Sequence, residues 1–593
     1  MSDPSASLPV PTETPSAPRT ARERLRRGRE SLVRWGAAQA GPLGAALVGL
    51  LTFLATFGPN ALDPRRIGWL IRDDFSQHLL GWLFFRETPL GLPLGATPNY
   101  LHPLGTSLGY TDSIPWVGLL LRPFSFMLPT DFQYIGPWMC LCLMLQGASA
   151  AWVARRLGAS TQHQWCVGGL LVLSPVLLSR MTFAHEALCA HWLLVLLVGL
   201  HLVPQRDARD AKQALGVSLG LCVFAAGVHP VIATMTLPLA LALCARTALE
   251  RKLPFAWPAL AAVACFASVL GLFFAFGYLG TGIPVGATDF GDYSSDLTTL
   301  FNSIGHGEIH WSRFIPPLPR HGSQNEGFGY LGAGGLVALA LVLGLMAREP
   351  RRILALWRRW VPVTLVALAL AFFALSWRIK FQGQQVADLS ALYRPVLKWA
   401  EAFRSSGRFI WPLHYLLLVG AALALPRLVR PSLAPTLAGL LLLIQGLDLN
   451  LGEGRRAQVS GGTWNTRPSP ALTEAAKGRK HLALYPPQMH DGSGRGCRAG
   501  PMDFHRWAYR AYRLGLTFNS GYVARIDDAK AQAYCLGMDA EIAAGRLDPQ
   551  TVYLVIPSRV AWLQKIRGAH CQPEDGLWLC TYDAPPQSPV SGR

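Results

Sequence analysis

The chain has 593 residues, 51% of them hydrophobic and only 15% charged, and a mean hydropathy of +0.26. A soluble protein of this length would carry roughly 25% charged residues, and apolar runs of about 17–25 residues, the length that crosses a bilayer, recur along the first three quarters. A soluble globular enzyme is excluded, and the net charge of +19 does not indicate nucleic acid, because the arginines flank apolar runs where topology and anionic lipid account for them.

Residues 1–34 are rich in Pro, Ser and Thr and then in Arg, without a cleavable signal pattern before Trp35. They read as a disordered cytoplasmic tail ending in a basic anchor. Hydropathy then predicts about eleven transmembrane helices within a membrane domain at 35–451. The spans lie near 36–58, 134–154, 164–180, 184–203, 213–228, 231–247, 256–278, 328–347, 360–377, 409–426 and 433–450. With the N-terminus inside, every inner connection holds at least two Lys or Arg, among them Arg155/Arg156 and Arg427/Arg430. The short outer turns at Met181–Phe183 and His229–Pro230 hold none, as the positive-inside rule requires. Residues 114–128 are apolar but short and broken by Arg122 and Pro123. As a span this stretch would invert every later loop, so it reads as an amphipathic helix lying in the outer interface.

Three long outer segments follow, at 59–133, 279–327 and 378–408, and residues 452–593 turn polar and form an outer domain. Strand-like runs at His481–Tyr485, Thr551–Ile556 and Leu577–Tyr582, with a helix-like stretch at Asp527–Ala544, predict a small α/β fold there. Of the eleven cysteines, Cys497, Cys535, Cys571 and Cys580 lie in this domain. An even number on an oxidising side permits two disulfides in any of three pairings.

The polar residues of interest gather at the outer ends of the spans. The first outer loop carries Arg72-Asp73-Asp74-Phe75-Ser76-Gln77-His78, then Gly81-Trp82, Asn99-Tyr100, His102 and Thr111-Asp112-Ser113. Acids beside a bilayer are costly and tend to mark function. Asp74, Gln77, His78 and Gly81 share one helical face, so Asp74 and His78 can share a hydrogen bond or a cation. Asp73 and Asp74 also suit a plain helix-capping role. Arg180, His185 and His229 flank the short outer turns; the second long loop holds Asp289, Asp292, Asp296 and His306, and the third Arg404 and Arg408. A sugar transferase needs a positioned carboxylate as general base and cations opposite the leaving phosphate. Asp74 is the preferred base or metal ligand, with Asp73 as its neighbour in reserve and His78 and Asp112 positioning it. Arg72, Arg180, Arg404 and Arg408 are phosphate candidates. Gln77, Asn99, Tyr100, His185 and His229 complete the candidate substrate-binding set, with Tyr100 among the aromatics suited to a lipid groove or a sugar face.

A large first outer loop bearing an acid soon after the first span, many spans and a polar outer tail resemble the GT-C class of membrane glycosyltransferases. More narrowly, Asp74-Phe-Ser-Gln77-His78 with Gly81-Trp82 and Phe85-Arg86, then Thr111-Asp112-Ser113-Ile-Pro115, is similar to an uncharacterised bacterial GT-C-like family. The runs His185-Glu-Ala-Leu-Cys-Ala-His191-Trp192 and Phe403-Arg404-Ser-Ser-Gly407-Arg408-Phe409-Ile-Trp411 fit the same likeness, which covers roughly residues 40–450. The resemblance implies inverting transfer of a sugar from a polyprenyl-phosphate donor to a lipid, glycan or protein acceptor at the periplasmic face of the inner membrane. It also implies a divalent cation, Mg or Mn, in some members. The rival expectations are a flippase of lipid-linked glycans, which would show polar residues running down through paired repeats, and a non-catalytic envelope assembly protein. The transferase expects Asp74, His78, Asp112 and Arg180 to converge on one outer cavity.

Overall fold

A computed structural model describes residues 21–71, 73–283, 290–348, 357–451 and 467–583. Arg72 and Asp289 therefore lie outside the described residues. The first helix runs Ala21–Phe57, so the basic segment expected to be disordered is helical from Ala21. Ala, Leu, Arg and Glu dominate that segment, and good helix formers extend readily from an existing span.

Each expected span meets a helix, but not each is a full crossing. Six helices are long and apolar enough to cross a membrane: Gln39–Phe57, Ile135–Arg156, Pro230–Glu250, Ala256–Ala275, Arg358–Leu375 and Ser406–Leu428. A seventh candidate is the pair Thr161–Val172 and Pro175–Thr182, bent by 45° where Pro175 interrupts the hydrogen-bond ladder. The other expected spans are the shorter apolar helices Glu186–Leu202, Ala333–Arg348 and Ala434–Asp448, and Ala208–Ala226, whose first turns carry Arg209, Asp210 and Lys212. The chain is a helical multi-pass membrane protein with fewer full-length spans than eleven among the described residues. Close packing depends on small residues: a Cβ on Gly147 would meet the Ala45 carbonyl at 2.4 Å, and one on Gly49 the Leu143 carbonyl at 2.5 Å. The stretch after Ile114 forms only the short helix Pro115–Leu121 and a 3-10 turn. It leaves Leu120, Phe124, Phe126 and Met127 exposed.

The C-terminal region holds a five-stranded mixed sheet in the order 569–574, 577–582, 551–555, 481–485, 517–518. A second sheet orders 496–498, 488–491 and 521–523. The expected strands recur as His481–Tyr485, Thr551–Val555 and Leu577–Tyr582, and the helix as Asp528–Ala543, whose N-cap Asp527 accepts from the Lys530 N–H. Of the three pairings, the structure has Cys497–Cys535 and Cys571–Cys580. This region is seated on the long loop that follows the first helix. The Phe518 N–H donates to the Asn99 carbonyl at 2.9 Å and the His102 N–H to the Phe518 carbonyl at 2.8 Å. Tyr512 donates to the Thr130 carbonyl at 2.9 Å, Tyr509 bonds Asp131, and Arg513 pairs with Asp131 at 3.1 Å.

Candidate functional site

The helix Asp73–Glu87 sets the floor of the site. Gly81 is the key to its geometry: a Cβ there would lie 2.0 Å from Thr111 Oγ1, so only glycine lets the 111–113 turn rest on the helix. Ser113 Oγ then donates to the His78 carbonyl at 2.7 Å, and Asp112 takes a left-handed conformation at φ +54°. Few non-glycine residues hold that region without cost, and Asp is among the more tolerant. Asp74 and Asp112 thereby open, 37% and 31% exposed, into one cavity of about 930 Å³.

Each acid is flanked by histidines. His229 caps the helix Pro230–Glu250 by accepting the Val231 N–H on Nδ1 at 3.1 Å. Its proton therefore sits on Nε2, which faces Asp112 Oδ1 at 3.4 Å. His78 is buried between Glu186, bonded to its Nδ1, and Asp112, 4.0 Å from its Nε2. Burial alone would favour neutral His78, but Glu186, Asp112 and Asp74 outweigh it and raise the imidazole to about 9. Burial likewise works to raise Asp112, yet the His229 hydrogen bond and the charges on His229, His78 and Arg408 hold it below the ordinary carboxylate range. Asp74 Oδ2 lies 3.7 Å from His185 Nε2.

A third carboxylate, Glu326, closes the far wall. Its Oε2 accepts from Arg180 Nη1 at 2.7 Å and Arg408 Nε at 2.8 Å, and Arg180 Nη2 donates to its carbonyl at 2.8 Å. The approach requires two glycines, because a Cβ on Gly407 would lie 2.5 Å from Gly327 Cα. Although burial acts to raise it, the two arginines hold Glu326 well below the usual range. Its Oε1 remains 3.9 Å from His306 Nε2, and burial, with Arg180 and Arg408 nearby, lowers His306 to about 4 despite Glu326. His185, His306 and Glu326 present donor atoms within 4.8 Å of one another, and Nδ1 of both histidines is buried without a hydrogen-bond partner. Two imidazoles and one carboxylate fit a borderline cation such as Zn or Mn better than Mg, which prefers oxygen.

The rest of the lining includes the apolar Leu188, Val231, Phe273, Leu279 and Phe403, the cationic Lys398, Arg404, Arg408 and Arg525, the acid Glu401, and Gly492 and Tyr522 from the C-terminal region. Every lining residue falls in the long connections, near the adjoining helix ends or in the C-terminal region.

Asp74, Gln77, His78, Asp112, His185, His229, Arg404 and Arg408 thus meet in one cavity. Arg180 is brought near but stands behind it, taken up by Glu326. Asp73 begins the helix. Asn99 and Tyr100 do not line the cavity. Asn99 bonds Thr88 and the Phe84 carbonyl, and Tyr100 is fully buried, stacked on Phe84; both belong to the seat of the C-terminal region. Asp292 pairs with Arg378 at 2.8 Å and Asp296 anchors the Gln382–Gly383 turn, and neither lines the cavity. His191 bonds Tyr415 inside the bundle. Glu186, Glu326, Tyr522 and Arg525 escaped sequence reasoning. Glu186 sits inside the motif His185–Trp192, and Glu326, just before an apolar run, is a costly acid of the kind that should draw notice.

Fold and cavity define a multi-pass membrane protein with a carboxylate–histidine site at one end of its helices. The chain belongs to the family of DUF6311, a domain of unknown function, which matches residues 46–450, and the DUF6311 C-terminal domain matches residues 471–582. No curated protein matches. Among solved structures the chain is similar to the arabinofuranosyltransferase AftD from mycobacteria, at 14% identity and TM-score 0.48. That likeness covers 91% of this chain and 40% of AftD, so the chain spans less than half of that protein. It is also similar to the Archaeoglobus fulgidus oligosaccharyltransferase in complex with Zn and sulfate, at 10% identity and TM-score 0.34 over 80% of this chain and 62% of that one. The oligosaccharyltransferase AglB from the same organism, with an inhibitory peptide and a dolichol-phosphate, gives 12% identity and TM-score 0.38 over 92% and 75%. Such scores say nothing of activity, which has to come from the site.

Proposed function

We propose that this protein is an inverting membrane glycosyltransferase. It moves a sugar from a polyprenyl-phosphate donor to a lipid, glycan or protein acceptor at the periplasmic face of a bacterial inner membrane. The observation that carries this reading is the cavity's composition: two partly open carboxylates, Asp74 and Asp112, share it with the guanidinium of Arg404 and an apolar wall.

Asp74 is the general base. It takes the proton of the acceptor hydroxyl as that oxygen bonds the anomeric carbon and the bond from that carbon to the donor phosphate oxygen breaks. Asp112, charged and poorly basic, stabilises positive charge developing on the sugar. Arg404 and Arg408 face the departing phosphate. The apolar wall, including Phe273 near the outer end of Ala256–Ala275, admits the donor's lipid chain. If a divalent cation serves the reaction, His185, His306 and Glu326 would hold it, and it would supply further positive charge for the leaving phosphate.

Envelope glycans and lipid-linked intermediates of cells carrying Asp74→Asn, compared with wild type at equal membrane level of the protein, test the proposal. Loss of one sugar with accumulation of its donor is expected. An unchanged profile, where deleting the gene changes the envelope, would remove Asp74 from catalysis.

A further inference from the structure

The cavity's upper edge is a seam between the third outer loop and the C-terminal region. Three groups from two separate parts of the chain converge there. A Cβ on Gly492 would lie 2.9 Å from both Arg404 Nη1 and Tyr522 Oη, and 3.0 Å from Arg404 Nη2. The guanidinium and the phenol therefore both rest against one glycine of the 491–495 turn. Arg404 stacks over the Tyr293 ring at 4.9 Å, yet its Nη1 is buried with no hydrogen-bond partner. No carboxylate pairs with it among the described residues; Glu401 shares the wall without touching it. Arg525 enters from the same C-terminal strand end and crosses the seam, donating to the Ala524 carbonyl at 2.8 Å and the Ala402 carbonyl at 3.2 Å. Burial, and then the charge on Arg404, lower the proton affinity of Arg525. Two guanidiniums held close in a partly desolvated wall repel each other, and an anion between them relieves that repulsion. The register that brings Arg525 here is set by the Ala524 N–H, which donates to the Tyr110 carbonyl at 2.7 Å, two residues before Asp112.

We propose that Arg404 and Arg525, with Tyr522 and the backbone of Gly492, form a binding site for a phosphate or diphosphate group. The C-terminal region thus supplies half of an anion subsite rather than a cover. This deepens the transferase reading and rests on it for the anion's role. Planar guanidiniums suit phosphate oxygens better than ammonium groups do, and the glycine keeps Arg404 in place.

Full-length protein in nanodiscs, probed with undecaprenyl phosphate and with inorganic pyrophosphate, tests the site. We expect binding to weaken about tenfold or more in Arg525→Ala and in Gly492→Ala, and less in Arg525→Lys, at unchanged thermal midpoints. Affinity within about twofold of wild type in both variants, or failure of wild type to bind either probe, overturns the site. Binding of the lipid alone identifies a lipid-linked phosphate; binding of pyrophosphate equally well identifies a soluble one. Sugar transfer assayed on the same preparations separates the two proposals. Wild-type transfer by Arg525→Ala sinks the subsite and spares the transferase. Arg525-dependent binding by a protein that transfers no sugar does the reverse.

Discussion

One cavity holds carboxylates in two contrasting settings. Glu326 has its Oε2 clamped by two arginines and its backbone held by one of them; that oxygen is already taken up, and only Oε1 is left facing His306. Asp74 and Asp112 face imidazoles instead and stay partly open. The same chemical group is a strut in one wall and a reactive or stabilising group in the other, and the difference lies in the partners. A carboxylate bonded to two guanidiniums makes a poor base. One that faces imidazoles and stays partly open can still offer an oxygen to a substrate.

Substitution should separate the two settings most sharply at Asp74. Asp74→Asn keeps the shape and removes the base, so transfer should fall by about 10²–10⁴-fold with the thermal midpoint unchanged, measured as initial rate on purified protein. Arg180→Ala should do the opposite first. It leaves Glu326 buried with one guanidinium fewer, a change of about 3–5 kcal/mol for a broken buried pair, read as a lowered midpoint in detergent before any rate is considered. If Arg180→Ala leaves the midpoint where it was, Glu326 is not the strut described here.

The histidine side of the comparison is sharpened by pH. The folded value of His78, about 9, lies above the unfolded value near 6.5. Its contribution is therefore complete below about pH 6.5 and is lost as pH rises through about 9. The rate at limiting substrate should fall over that alkaline limb, because neutral His78 loses its charge pairing with Glu186 and Asp112, which holds the helix and the 111–113 turn in register. In His78→Gln the rate should be lower throughout and that limb absent. A limb that persists unchanged in His78→Gln assigns it to another group.

Much of this was legible in the chain. Apolar length placed a helix at each of the eleven expected spans, and strand-like runs placed the strands at 481–485, 551–555 and 577–582. What hydropathy could not see is that several predicted spans are short or bent, since Pro175 and the charged start of Ala208–Ala226 act on geometry rather than on mean apolarity. In the site, spacing along one helix brought out Asp74 and His78, and rarity beside lipid brought out Asp112. The pairs that decide the chemistry were not legible. Glu186 meets His78 across 108 residues and Glu326 meets Arg180 across 146, and no local pattern records a contact at that separation. Asn99 and Tyr100 looked like substrate contacts because they are polar and aromatic beside a bilayer. Their actual partners lie in or beneath the C-terminal region, which sequence treated as a separate body.

The smallest expected effect tests the geometry itself. Gly81 carries no functional group, yet Asp112 reaches the cavity only because the 111–113 turn lies on that glycine. A methyl group at this position would stand 2.0 Å from Thr111 Oγ1, well inside contact distance, so the turn must lift or the helix must shift. Overpacking of this kind costs about 1–3 kcal/mol, which the protein should survive as a modest fall in midpoint. The rate should fall further than the midpoint suggests, because lifting the turn draws Asp112 away from both His229 and His78 while leaving Asp74 in place. Pairing Gly81→Ala with Thr111→Ala removes the nearest colliding atom but leaves Thr111 Cβ at 2.5 Å and Ser113 Oγ at 2.7 Å, so it should restore only part of the rate. If the double variant recovers stability but not rate, the Thr111 hydroxyl, which bonds Ser113 Oγ at 3.1 Å, orients Asp112 in its own right.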